Sequence, residues 1–396
     1  MRTECVEICV MEQWRKHFEA VPDPRKAGHA FTYRLCDVLM LALCALLCGA
    51  ETFVEIEEFG CSKQQWLCER LGLGFEEGVP SHDTIGRLFS LLNPHAFGAC
   101  FEAWTQELHE QTQGQVLALD GKTVRRSFDT ATGKAALHLV SVWASEARLV
   151  LAQQQVDGKS NEITAVEALL QRLDVRGCVV TVDALTVDAL NTQKHLAGLI
   201  VEKKGDYVMA LKNNHGLLHE EVSDYFAWLR QNQQRLQRAG CDLFEQKEWG
   251  HGRREVRRCF CIAADEQDWP QALAQWPGLK SLIVIERERG ASGASASASC
   301  TRHFYLSSLP PQAKNISAAV RTHWQIENNV HWCLDVALRE DESRVRKDHA
   351  PRNLATLRRL VLNLMRQDKN AKCGLKARRH KAGWSNDYLL QRLTQT

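Results

Sequence analysis

The sequence predicts an α/β protein. A helical N-terminal part leads into a mixed sheet of short apolar strands and helices, a strand-rich stretch follows, and the C-terminal part returns to helix. Three observations predict this. Up to about residue 110, apolar residues recur at helical spacing, as in Arg34–Cys48 and Phe53–Leu71. From Gly114 the texture changes to short apolar runs, two of which end on an acid. Between 244 and 310, runs of strand-like composition succeed one another.

Taken in order, VPDPRKAGH (21–29) is a Pro/Gly-rich loop before the first long helix. The run Val38 to Ala50 holds thirteen apolar residues, too short to span a bilayer and suited to a buried helix. In PSHDTIGRLFSLL, Ser81 is the expected N-cap. QVLALD (115–120) is an apolar strand ending in an acid, and AALHLVSVWAS with RLVLAQQQV forms a pair of strands turning at Glu146–Ala147. EITAVEALLQRL (162–173) is an amphipathic helix, CVVTVDAL (178–185) a second strand ending in an acid, and DYVMALK (206–212) a further strand after a helix to about Lys203. Three strands, helix, strand, helix, strand is the order of a mixed α/β sheet. FEQKEWGHGRREVRRCFCIAA, LKSLIVIERE and RHFYLSSL supply the strand-rich stretch, with GASGASASAS (290–299) a low-complexity loop between two of them. Residues 312–366 carry helical spacing again.

Composition narrows the class. With 44% hydrophobic and 25% charged residues this is an ordinary globular balance. The fifteen cysteines, scattered through apolar segments with no C-x-x-C pair, fit reduced thiols in a cytoplasm better than a disulfide framework or a cysteine zinc site. The first ten residues, with Glu4 and Glu7, lack the apolar core of a secretory signal, and no membrane role is expected. The net charge of +2 conceals an asymmetry: residues 339–396 hold fifteen Lys+Arg against six Asp+Glu, +9, leaving −7 for the rest. A basic region on an acidic body fits either a polyanionic partner or a solvated helix face.

The candidate chemistry lies in acids at strand ends. Asp120 in LALD-GKT and Asp183 in VTVD-AL each follow an apolar strand, which would hold a carboxylate rigidly at a crevice. Either alone reads equally as a helix cap or turn former. Two together repel unless a cation neutralises them or one is protonated, and oxygen donors without paired thiols favour Mg²⁺ or Mn²⁺ over zinc. A two-metal site needs a third acid, and VRTHWQIENNVHWCLDVALRED (320–341) offers Glu327 near Asp335. In a continuous helix His323, Glu327 and His331 form one stripe, stepping by about 40°. The histidines stand eight residues apart, two turns, too far to chelate one zinc. They read either as phosphate contacts or as hydrogen-bonded structural groups, and Trp324 and Trp332 as packing or interface residues.

The set of blocks VPDPRKAGHAF, CGAETFVEIEEFG, GVPSHDTIGRLFSLLNP, LALDGKTVRRS, DGKSNEITAVEALL, TVDAL, KGDYVMALKNN, HGRREVRR, FYLSSL, VRTHWQIENNVHWCLDVALRED and NLATLRRLVLNL resembles the DDE transposases of bacterial insertion sequences, in the H-repeat-associated subgroup. The resemblance implies an RNase H-like catalytic core, preceded by a helical domain and interrupted by a β-rich insertion. It carries the catalytic triad onto Asp120, Asp183 and Glu327, with two Mg²⁺ (or Mn²⁺) ions per site. The implied reaction is hydrolysis at the element's end followed by attack of the freed 3′-OH on target DNA. Implied partners are double-stranded DNA, both terminal inverted repeats and target, and a second copy in a synaptic homodimer. The expected domains are 1–112, 113–243, 244–310 and 311–396. Candidate DNA contacts are Lys122, Lys159, Arg253, Arg254, Arg321, His323 and His331. The chain departs from related insertion-sequence enzymes at Val320, His323 and Leu334, and in ALTVDA after Asp183. Two other readings remain: a nuclease of the same fold, or an inactive DNA-binding relative.

Overall fold

The computed structural model describes residues 14–25, 32–108, 114–130, 132–156, 162–183, 190–212, 216–250, 253–263, 273, 276–291 and 299–394. They fall into two compact units, one from the segments up to 110, 121–155 and 327 onward, the other from 111–120 and 156–326. The chain returns from the second to the first inside a strand, between Asp120 and Gly121.

The first unit opens with four helices, α1 (Leu35–Leu47), α2 (Phe53–Leu71), α3 (His82–Leu91) and α4 (Pro94–Leu108). All thirteen residues of α1 are buried, including Asp37, so the apolar run expected to be an internal helix is one. α2 starts on a capping box, Thr52 accepting from the Glu55 amide while the Glu55 carboxylate accepts from Thr52 N. Ser81 caps α3 as expected. The unit then takes the second half of β1 (Val116–Val124), the hairpin β2 (Leu137–Ala144) and β3 (Leu149–Gln155), and later α11 (Ala350–Arg366) among its C-terminal helices. Val124, Leu137 and Leu139 pack on Ala355 of α11. The outer edge of β3 is closed by side chains from that helix. The Asn363 amide accepts from Val150 N and donates to Val150 O, both at 2.8 Å, which satisfies backbone groups that an edge strand otherwise exposes.

The second unit takes the first half of β1 and then α5 (Glu162–Arg172), β4 (Val179–Val182), α6 (Leu190–Glu202), β5 (Asp206–Leu211), α7 (Gly216–Arg230) and α8 (Gln233–Arg238). It continues with β6 (Asp242–Gly250), β7 (Arg253–Ala263), β8 (Ser281–Ala291), β9 (Ser299–Ser307) and α9 (Ala313–His323). β1, β4 and β5 run parallel, buried and rich in Val, Leu and Ala, as strands covered on both faces must be. The strand order is β3-β2-β1-β4-β5-β9-β8-β7-β6.

Two expectations are modified. The strand-rich stretch is continuous with the sheet: β9 pairs antiparallel with β5, and β8, β7 and β6 extend it in turn. The strand beginning at QVLALD does not stop at its acid. It pairs with β4 only through Leu119, yet the extended backbone runs on to Val124, so Asp120 is interior to β1. Much of GASGASASAS lies outside the described residues. Among the described residues no helix is long and apolar enough to cross a membrane. Thirteen described cysteines are free, and burial pushes the Cys48 and Cys100 thiols up to about 12, as for groups packed like small hydrophobes.

Candidate active site

The site is built on the ends of parallel strands. β1 and β4 pair in register as far as Leu119 opposite Val182, and the residue that follows each in sequence is an aspartate, Asp120 and Asp183. Neighbouring strands lie about 4.8 Å apart, and buried apolar residues precede both acids. β5 continues the pattern on the other side of β4. It ends at Leu211, and Lys212 just beyond places Nζ 2.8 Å from Asp183 Oδ2. The edge therefore reads carboxylate, carboxylate, ammonium. The cation offsets the negative charge of Asp183. His303 of β9 is exposed; partial desolvation lowers its pKa, opposed by the charge of Asp183 and reinforced by Arg287 and Lys212.

α9 packs beside this edge. His323, its last residue, is buried, and its Nδ1 lies 2.9 Å from Thr181 Oγ1, two residues before Asp183. His323 is thus a buried histidine with a hydrogen bond to the strand. Arg321 on the same helix pairs with Glu248 at 2.5 Å.

In the first unit, Glu327 opens a π-helical turn, Glu327–His331, followed by α10 (Trp332–Val336). The uninterrupted helix expected over 320–336 is broken here, because one extra residue per turn is inserted after α9 ends. The Glu327 side chain is 54% exposed and lies 3.4 Å from Nδ1 of buried His331. Arg366 of α11 holds the turn, bonding Asn329 Oδ1 at 3.0 Å and also the Asn329 carbonyl. Trp324 and Trp332 are 48% and 57% exposed, so neither packs into a core.

Of the remaining candidates, Lys122 is buried, 2.7 Å from Asp335 and 3.4 Å from Asp341. Arg254 is exposed, opposite Trp249 on β6. Lys159, the ALTVDA turn and the side chain of Arg253 lie outside the described residues. Lys212 and His303 are the residues that sequence reading missed. The signal for Lys212 was present, since DYVMALK is also an apolar strand ending on a charge.

Asp120 and Asp183 offer hard oxygen donors at rigid positions with no thiol beside them in the strand-end row, and a cation already sits on one of them. This donor set fits Mg²⁺ or Mn²⁺.

A mixed sheet in this order, with an acid just past the last paired residue of each of two adjacent parallel strands, is of the RNase H-like class. The family model of the transposase DDE domain matches residues 111–364, and that of the region associated with it matches residues 15–105. YncI of Escherichia coli O157:H7, which carries a transposase name, is 36% identical over 94% of this chain and 92% of its own length. YhhI of E. coli K12, named for the H repeat, is 33% identical over 96% and 97%. The chain belongs to the DDE transposases of insertion sequences, in the H-repeat-associated group. Proteins of this family generally use divalent metal ions. The piggyBac transposase synaptic complex with hairpin DNA is a distant structural likeness, with a TM-score of 0.43 and 12% identity over 97% of this chain and 81% of that one.

Proposed function

We propose that the chain catalyses DNA strand cleavage and 3′-OH strand transfer for an insertion sequence, with Asp120, Asp183 and Glu327 holding two Mg²⁺ or Mn²⁺ ions. The observation that supports this reading is the β1–β4 register, whose last pair, Leu119 opposite Val182, is followed on each chain segment by an aspartate. Glu327 enters as the third acid on the family motif, in IENN just four residues beyond His323. When bound, the ions would neutralise phosphate charge and activate the attacking oxygen. The chain's own residues do the rest. The sheet fixes both aspartates so that little reorganisation accompanies reaction. Lys212 holds an ammonium on Asp183 and offsets its negative charge. His323 ties the end of α9 to β4 through Thr181. The partners in this reading are terminal inverted repeats and target DNA, and a second copy at synapsis.

A second reading, an inactive DNA-binding relative, draws on the Lys212–Asp183 pair, in which a protein cation stands where a metal would. One relative, YbfQ of E. coli K12, matched over 20% of this chain, is named an inactive transposase.

The test is incubation with Mg²⁺ and duplex DNA bearing the element's ends. Joined products are expected; cleavage without joining would mean a nuclease, and binding alone an inactive relative. Asp120→Ala, Asp183→Ala and Glu327→Ala should each reduce joining to about a thousandth or less, roughly 4 kcal/mol of barrier, with DNA binding kept. Full activity in any one of them would remove that residue from the site.

A further inference from the structure

The segment 369–384 carries six Lys+Arg and no Asp or Glu. Most of it is the helix α12 (Leu375–Trp384), and the structure sorts its cations into two groups. Arg379 is buried and bonds the carbonyls of Leu46 at 2.9 Å and Ala50 at 3.0 Å, and also that of Ala337. Arg378 bonds the Met365, Asp368, Ala371 and Cys373 carbonyls, and Lys381 lies 4.2 Å over the Tyr388 ring. These cations hold the helix in place. Lys369, Lys372 and Lys376 are exposed instead, with no side-chain partner among the described residues. Lys376, His380 and Trp384 recur every fourth residue, so they line one face of α12 over about 12 Å of rise. Trp384 is 81% exposed and its ring lies 5.7 Å from that of His380. Trp384 thus holds a large aromatic side chain in water on the helix face that Lys376 begins, with Lys369 and Lys372 exposed just before the helix.

We propose that 369–384 is a duplex-DNA docking surface, with Lys369, Lys372 and Lys376 on phosphates and Trp384 against the deoxyribose or an unstacked base. The charge decides the partner: an acid-free row of lysines complements a polyanion and opposes a second copy of the same basic helix. Lysines that meet phosphates position a duplex without reading its sequence, so the surface is expected to serve any duplex. The inference rests on the reading of the chain as a DNA-acting protein.

The experiment measures affinity of the full chain for a labelled duplex across a salt series. Replacing Lys369, Lys372 and Lys376 together by Gln should make the slope of log K against log salt shallower by about 2–3, since each lost phosphate contact removes roughly 0.9. Trp384→Ala should weaken binding about tenfold with the slope unchanged, because no charge is lost. Lys280→Gln, at an exposed position elsewhere, should change neither. All four positions are exposed, so thermal midpoints should match the parent. An unchanged slope in the triple variant, or a Trp384→Ala effect on self-association in place of DNA affinity, would overturn the assignment and leave the DNA-acting reading intact. Absence of DNA binding by the parent chain would remove that reading itself.

Discussion

Lys122 stands two residues after Asp120, and a lysine there reads naturally as a phosphate contact. Its side chain is instead only 8% exposed and lies between Asp335 and Asp341, with Arg125 also on Asp341. An ammonium committed to two carboxylates joins β1 to α10 and to the turn after it. Burial raises the pKa of Asp335, and the Lys122 hydrogen bond and charge oppose that rise. Removing the cation leaves two half-buried acids facing each other, which is the costly way to break an ion pair. Lys122→Met is expected to lower stability by about 2 kcal/mol, less than a fully buried pair costs, because both carboxylates still reach water. Denaturant unfolding measures this, and salt-dependent DNA binding separates the roles. A shallower salt slope with unchanged stability would return Lys122 to the phosphate-contact reading.

Among the elements, β7 shows what the arginine-rich strand HGRREVRR does. Burial alone would raise the Glu255 carboxyl, but hydrogen bonds from Arg287 and Arg289 and the charge of Arg257 outweigh it and hold it at about 2. Arg258 bridges Glu245 and Glu288 in the same way. Arg258 ties β7 to both β6 and β8, and Arg287 and Arg289 tie β8 to Glu255 of β7, while Arg254 is exposed. A carboxyl depressed from 4.5 to about 2 adds stability that is complete above pH 4.5 and fades as pH falls toward 2. Glu255→Gln should therefore be less stable than the parent at pH 7, with the gap closing between about pH 4.5 and 2. A constant gap in thermal melts across that range would show that the pair does not act through ionisation. Element existence was legible from periodicity: the strand–helix order, the buried α1 and the Ser81 cap all appear in the structure. Register was not, because the pairing of Leu119 with Val182 depends on contacts across sixty residues that no local pattern encodes. The π-helical turn at Glu327 was hidden for the opposite reason. Every-fourth-residue spacing persists on both sides of it, so one inserted residue leaves the pattern looking intact.

For the whole molecule, the excess charge of +9 over residues 339–396 reads in the sequence as a polyanion-binding region or a solvated helix face. The fold divides those cations by environment. Arg358, Arg359, Arg379 and Arg392 are buried, and Arg359 meets Glu340 at 2.9 Å with both side chains fully enclosed. Burial lowers the Arg379 pKa to about 10, still cationic at neutral pH, with Glu51 opposing the shift. α11 buries nearly its whole length, and its Asn353 closes the ends of α3 through the Phe89 and Leu92 carbonyls at 2.8 Å. Much of the C-terminal region is thus part of the first unit's core, and Lys369, Lys372 and Lys376 are among its outward cations. Deleting 339–396 should abolish cooperative unfolding, because it removes a central helix and exposes the apolar surface of β2, β3 and α1 that the helix covers. Circular dichroism against temperature checks this. A truncated chain that melts cooperatively near the parent's midpoint would show the region to be a separable tail, and the outward charge alone would then have to account for its sequence.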